Sequence, residues 1–210
     1  MHDYRRPRVP DLVFRDEQGE VIPYGRRWVD QDWDGPDDTY SVTRHPERFT
    51  PFVEVARAIV EHLASTYDVT REDSVDPSGH PQIRLVPSDR TAAQITFVFQ
   101  SSTWVDVTAG RWSSIAWFCD CDHCDEDVEI AIETLEQEVS AVVDGGLREW
   151  LNDPAEGYRG EDLFLADSLR SLDGEIDQSG SSSVNDGRRR DELRALFVDV
   201  PPRWAPWALR

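Results

Sequence analysis

The chain has 210 residues, 39% hydrophobic and 10% aromatic with eight tryptophans, which is enough apolar material for a buried core and excludes a wholly disordered polymer. Its formal charge is −20, from 42 acidic against 22 basic residues, and every basic residue is arginine. Such a surface repels phosphate backbones and anionic lipid, so a broad nucleic-acid or membrane face is excluded and a basic protein partner or a metal ion fits better. A solvated acidic surface, with arginine standing in for lysine, is the plain alternative.

Met1 to Phe14 holds Arg5, Arg6 and Arg8 among prolines and lacks the apolar stretch of a secretory signal. No run approaches the roughly 20 apolar residues that span a bilayer. An odd number of clustered cysteines without an export signal predicts a cytoplasmic protein. Leu12 to Phe14 and Val21 to Tyr24 flank the turn-like Asp16-Glu17-Gln18-Gly19 and predict a short hairpin. The acidic stretch Asp30 to Thr39 reads as a loop. Its Asp30, Asp32, Asp34, Asp37 and Asp38 lack the glycine and distal glutamate that a calcium loop needs at fixed spacing. Residues 1–39 are therefore expected to form an N-terminal arm, and 40–210 a single domain.

Thr50-Pro51 predicts a helix start with threonine as N-cap. Phe52, Val55, Ala56, Ile59, Val60 and Leu63 then recur at helical spacing to about Thr66. Five short extended runs follow: Tyr67 to Val75, Gln82 to Val86, Ile95 to Gln100, Trp104 to Thr108 and Trp112 to Phe118. Turn residues separate most of them, as in an antiparallel meander. A second helix is expected directly after the cysteines, with Asp125, Glu126 and Asp127 in its first turn, an apolar stripe from Val128 to Val142, and Gly145-Gly146 at its end. Leu163 to Leu172 reads as a strand, Ser179 to Gly187 as a serine- and glycine-rich loop, and Arg188 to Phe197 as a short helix. The prolines of Pro201-Pro202-Arg203-Trp204-Ala205-Pro206-Trp207 forbid regular helix, leaving an extended tail that packs its tryptophans onto the domain. The whole predicts an α+β fold: an antiparallel sheet of about five strands with two main amphipathic helices on one face.

The chemistry-bearing feature is Cys119-Asp120-Cys121-Asp122-His123-Cys124, which contains all three cysteines. Closely spaced thiolates suit tetrahedral zinc, and Cys121 and Cys124 have the spacing of a zinc knuckle. Cys119 adds a third sulfur, and His123, Asp125, His80 and His45 are candidates for the fourth position. The same thiols permit a redox reading, a Cys121–Cys124 disulfide with Cys119 as resolving thiol. Asp120, Asp122, Asp125, Glu126 and Asp127 disfavour a free thiolate and favour a bound cation, which ranks the metal above redox chemistry. Plain packing of three small apolar residues is the third reading. His62, on the first helix, reads as a structural histidine, Ser179 to Ser183 as a hairpin tip rather than an anion site, and no catalytic motif is evident.

Four segments resemble an uncharacterised, mostly actinobacterial family, a domain of unknown function: Tyr40 to Phe49, Tyr67-Asp68-Val69, Cys119 to Glu126, and Arg203 to Trp207. The resemblance covers roughly residues 40 to 210 and implies a bacterial, cytosolic setting without assigning an activity. Two function classes follow from the residues. One is an acidic binding protein with a structural zinc and a basic partner, in the manner of an inhibitor or immunity protein. The other is a metal- or thiol-dependent enzyme with scattered site residues.

Overall fold

Helical periodicity in the first half of the chain translates directly into α1 (Thr50–Thr66), in a computed structural model that describes residues 1–10, 12–31, 35–153, 163–184 and 187–210. Phe52, Val55, Ala56, Ile59, Val60 and Leu63 of α1 are all fully buried. Thr50 is not its N-cap: a 3-10 turn over Pro46–Phe49 runs straight into the helix and carries Phe49 to the capping position.

Five antiparallel strands follow in sequential order: β1 (Val69–Val75), β2 (Pro81–Pro87), β3 (Ile95–Phe99), β4 (Val105–Ala109) and β5 (Ser113–Ile115). The register places Ile83 opposite Phe97, Phe97 opposite Val107 and Val107 opposite Ile115, so one face is a continuous apolar surface. That face and α1 share one core with the buried stripe of α2 (Val128–Val143). The expected meander with two helices is thus the architecture of the first 145 residues. Its N-terminal hairpin reduces to a single bridge, Arg15 to Val21, closed by Asp16, whose carboxylate accepts the Gln18 and Glu20 amides.

The acidic residues before α2 do not form its first turn. Asp127 is the N-cap, accepting the Glu129 amide at 2.9 Å, and Asp125 sits in the left-handed region at φ 50°. Gly145, at φ 77°, ends α2 as expected.

A second, three-stranded antiparallel sheet was not foreseen. It runs β6 (Leu147–Asn152), β7 (Leu163–Arg170) and β8 (Asp177–Val184), with β7 in the middle. The serine-rich stretch is therefore corrected from loop to strand over Ser179 to Val184: Ser168 pairs with Ser179 and Leu163 with Val184. Its outer edge is exposed, so β8 needs no apolar alternation, and β7 supplies the burial through Leu163, Leu165 and Leu169. Asn185 and Asp186, which belong to the same expected loop, lie outside the described residues. The helix α3 (Gly187–Phe197) packs Leu193 on Leu163, Leu165 and Val184 in a second small core.

One carboxylate joins these parts. Glu149, 1% exposed on β6, accepts the amides of Arg111, Trp112 and Ser113 at 2.8 to 3.0 Å, the Ser113 hydroxyl at 2.9 Å and the Trp204 indole N–H at 2.9 Å. Gly110 is required beside it, because a Cβ there would lie 2.0 Å from Glu149 Oε2 and the backbone is left-handed at φ 64°. The tail docks as expected: Trp204 and Trp207 are buried, Ala205 bridges Ala92, and the Trp207 indole donates to the Ala93 carbonyl at 2.8 Å. Among the described residues no helix is long and apolar enough to cross a membrane.

Candidate metal centre

The chain leaves β5 through Phe118, which packs on Phe49, Phe52 and Trp104, and then turns sharply across the cysteine segment before α2 begins. That turn is too short for backbone ladder bonds, so side chains from elsewhere satisfy its carbonyls. Arg48, 2% exposed, donates to the Asp120 carbonyl at 2.9 Å and pairs with the fully buried Asp122 at 3.2 Å. Arg27 comes from the N-terminal arm and donates to the Asp122 carbonyl at 2.6 Å. Through its backbone amide and its Nε it also holds both oxygens of Asp125. The Trp28 indole reaches the same Asp122 carbonyl at 3.1 Å, and the Asp122 amide donates to the Val42 carbonyl at 2.6 Å. Gly35 lets the arm come this close, since a Cβ there would stand 2.8 Å from the His123 carbonyl oxygen.

Held in this way, the three sulfurs converge. The Sγ atoms of Cys119, Cys121 and Cys124 all lie within 4.8 Å of one another, and those of Cys119 and Cys121 are 3.2 Å apart. All three are free thiols. Zinc–thiolate bonds of about 2.3 Å in a tetrahedron put neighbouring sulfurs about 3.8 Å apart, so one ion reaches all three after small rotations. The Cys124 amide points at Cys121 Sγ from 3.5 Å, the outer hydrogen bond that steadies a thiolate ligand. Burial opposes ionisation of Cys121, but that amide and the bonds from the two neighbouring thiols outweigh it and bring the thiol down to about 7. Burial pushes Cys124 up to about 12 and raises Cys119 as well.

The candidate fourth ligands stay outside this group. His123 Nδ1 sits 3.3 Å from the Pro36 carbonyl and its ring packs edge-on to Tyr40. His80 lies on the β1–β2 turn beside Asp76, and His45 packs against Phe14 and Glu47. The carboxylate of Asp125 is engaged by Arg27. The calcium-loop positions Asp32 and Asp34 lie outside the described residues.

The geometry also changes the electrostatic argument. Asp122 and Asp125 are buried at 0% and 4% exposure and already face Arg27 and Arg48, so their charge is matched before any ion arrives. The case for a metal therefore rests on the sulfur arrangement more than on the surrounding acids. Sequence reasoning did not find Arg27, Trp28 or Arg48. The available signal was that a turn with two buried acids requires buried cations, and arginine is the residue for that task.

The fold and site together define an α+β protein with a thiol-rich turn clasped by its own N-terminal arm. A family model matches residues 10–210, and the chain belongs to that family, the family of unknown function DUF6226. The match takes in most of the arm as well as both sheets. No curated protein and no solved structure matches the chain.

Proposed function

We propose that this protein is a non-catalytic binding protein that holds one zinc ion on Cys119, Cys121 and Cys124 and docks a basic protein through its acidic surface. The observation that carries the zinc reading is the convergence of three sulfurs within 4.8 Å on a turn with a backbone amide aimed at the central one. Those groups supply thiolate charge and soft ligands but no leaving-group acid or substrate-positioning array of their own, which favours a structural ion. His123, one residue before Cys124, is the proposed fourth ligand, reached by turning its ring away from the Pro36 carbonyl.

Purified protein expressed with zinc and without chelator is expected to contain about one zinc per chain by elemental analysis. Cys121→Ser is expected to lose it, and His123→Ala to weaken it without abolishing it. Fewer than about one ion per two chains overturns the reading. The charge of −20 supports the basic partner, because complementary fields steer and select such encounters. Capture from the native cytoplasm is expected to recover a basic protein at moderate salt and release it as salt rises. Recovery that is indifferent to salt counts against this.

A further inference from the structure

A cavity of about 590 Å3 lies between the N-terminal arm and the starts of α1 and α2, within the size range of small-molecule sites. Val9, Leu12, Phe14, Ile22, Pro51 and Ile132 give it apolar walls. Arg48 and Tyr24 line it as well, and they bring an unusual feature: Arg48 Nε and the Tyr24 hydroxyl are buried atoms without a hydrogen-bond partner. Arg48 is only 2% exposed and its guanidinium carbon stands 4.2 Å from the Tyr24 ring centre, so the two unmet groups are neighbours. An unmet buried donor is costly, and a ligand acceptor removes that cost.

The acids of the cavity differ in how fully they are engaged. Asp127 caps α2, and Glu129 is paired with Arg6. Glu126, half-buried on the same wall, accepts the Cys119 amide but enters no ion pair with the arginines that hold the cysteine turn, which leaves room on its carboxylate for a cationic group. A purely anionic ligand would bring its charge to Glu126, and a purely cationic one to Arg48. A molecule bearing a carboxylate and an ammonium group together satisfies both, and the walls take an apolar remainder.

We infer that this cavity is a binding site for an amino acid with an apolar side chain, its carboxylate on Arg48 and Tyr24, its ammonium on Glu126, and its side chain against Phe14, Leu12 and Ile22. The cavity borders the cysteine turn through Arg48 and Glu126, but among the described residues no cysteine lines it, and its occupancy does not require the zinc reading. Titration calorimetry with leucine and phenylalanine tests it, set against the matched compounds that lack either the amine or the carboxylate. Saturable binding of the amino acids is expected, with each one-group analogue at least about tenfold weaker. Tyr24→Phe removes a hydroxyl that makes no hydrogen bond of normal geometry and only borders the Arg48 guanidinium, so the fold is kept while affinity falls about fivefold, the loss expected for one hydrogen bond. Leu12→Trp narrows the cavity from a partly exposed wall and is expected to abolish binding. No saturation at about 5 mM amino acid, or equal affinity for the one-group analogues, overturns the inference.

Discussion

Glu149 is the residue on which most separate parts of the chain depend, because three amides, a hydroxyl and an indole donate to its two oxygens. Glutamine in its place presents an N–H2 group to at least one of those donors and leaves it unmet, at about 1–3 kcal/mol for each buried group so orphaned. Glu149→Gln is therefore expected to lower stability by about 2–4 kcal/mol in chemical denaturation, with no change in helix content. Gly110→Ala is expected to cost about 1–3 kcal/mol from its left-handed backbone and its approach to the same carboxylate. A Gly110→Ala protein as stable as the parent would show that the β4–β5 turn is not held in this way. Residue-scale charge also departs from what the sequence implies: Asp122 and Asp125, beside the cysteines, are sealed against Arg48 and Arg27 and are not open to a cation. One-dimensional spacing does not reveal a partner that arrives from about 75 to 100 positions away.

At the scale of elements, what was legible follows from periodicity. α1 buries an unbroken apolar stripe and α2 one interrupted by the buried Glu138, and β2 and β3 alternate buried and half-buried positions, so these elements carry their class in the sequence. β6 was missed because Glu149 occupies an inward position between Leu147 and Leu151, and a charged residue there breaks the alternation that identifies a strand. β8 was missed for the opposite reason. Seven of its eight residues are exposed, so its sequence records solvent rather than the ladder to β7 that makes it a strand. Among the candidate ligands, the three sulfurs were legible because they lie within six residues. The residues that hold the turn were not, since they enter from the arm and from the approach to α1.

On the scale of the whole molecule, both ends of the chain are sewn into it. Arg6 bridges to Glu136 and Glu129 on α2, and the last residues cross from the Ala92 bridge to the Leu209–Tyr67 bridge beside β1. The second sheet gives Leu147 and Leu169 to the main core, while its Leu163, Leu165 and Val184 join Leu193 of α3 in a separate one.

The Glu149 contacts reach across that division, and this has a consequence for how the molecule breathes. Turns between edge strands ordinarily trade their amide protons with water by brief local fraying. Here the Arg111, Trp112 and Ser113 protons end on a side chain belonging to the other sheet, so freeing them means parting one sheet from the other. In deuterium-exchange measurements this short hairpin tip should retain its protons as long as the middle of β3, and rapid loss there would mean that the sheets separate on their own.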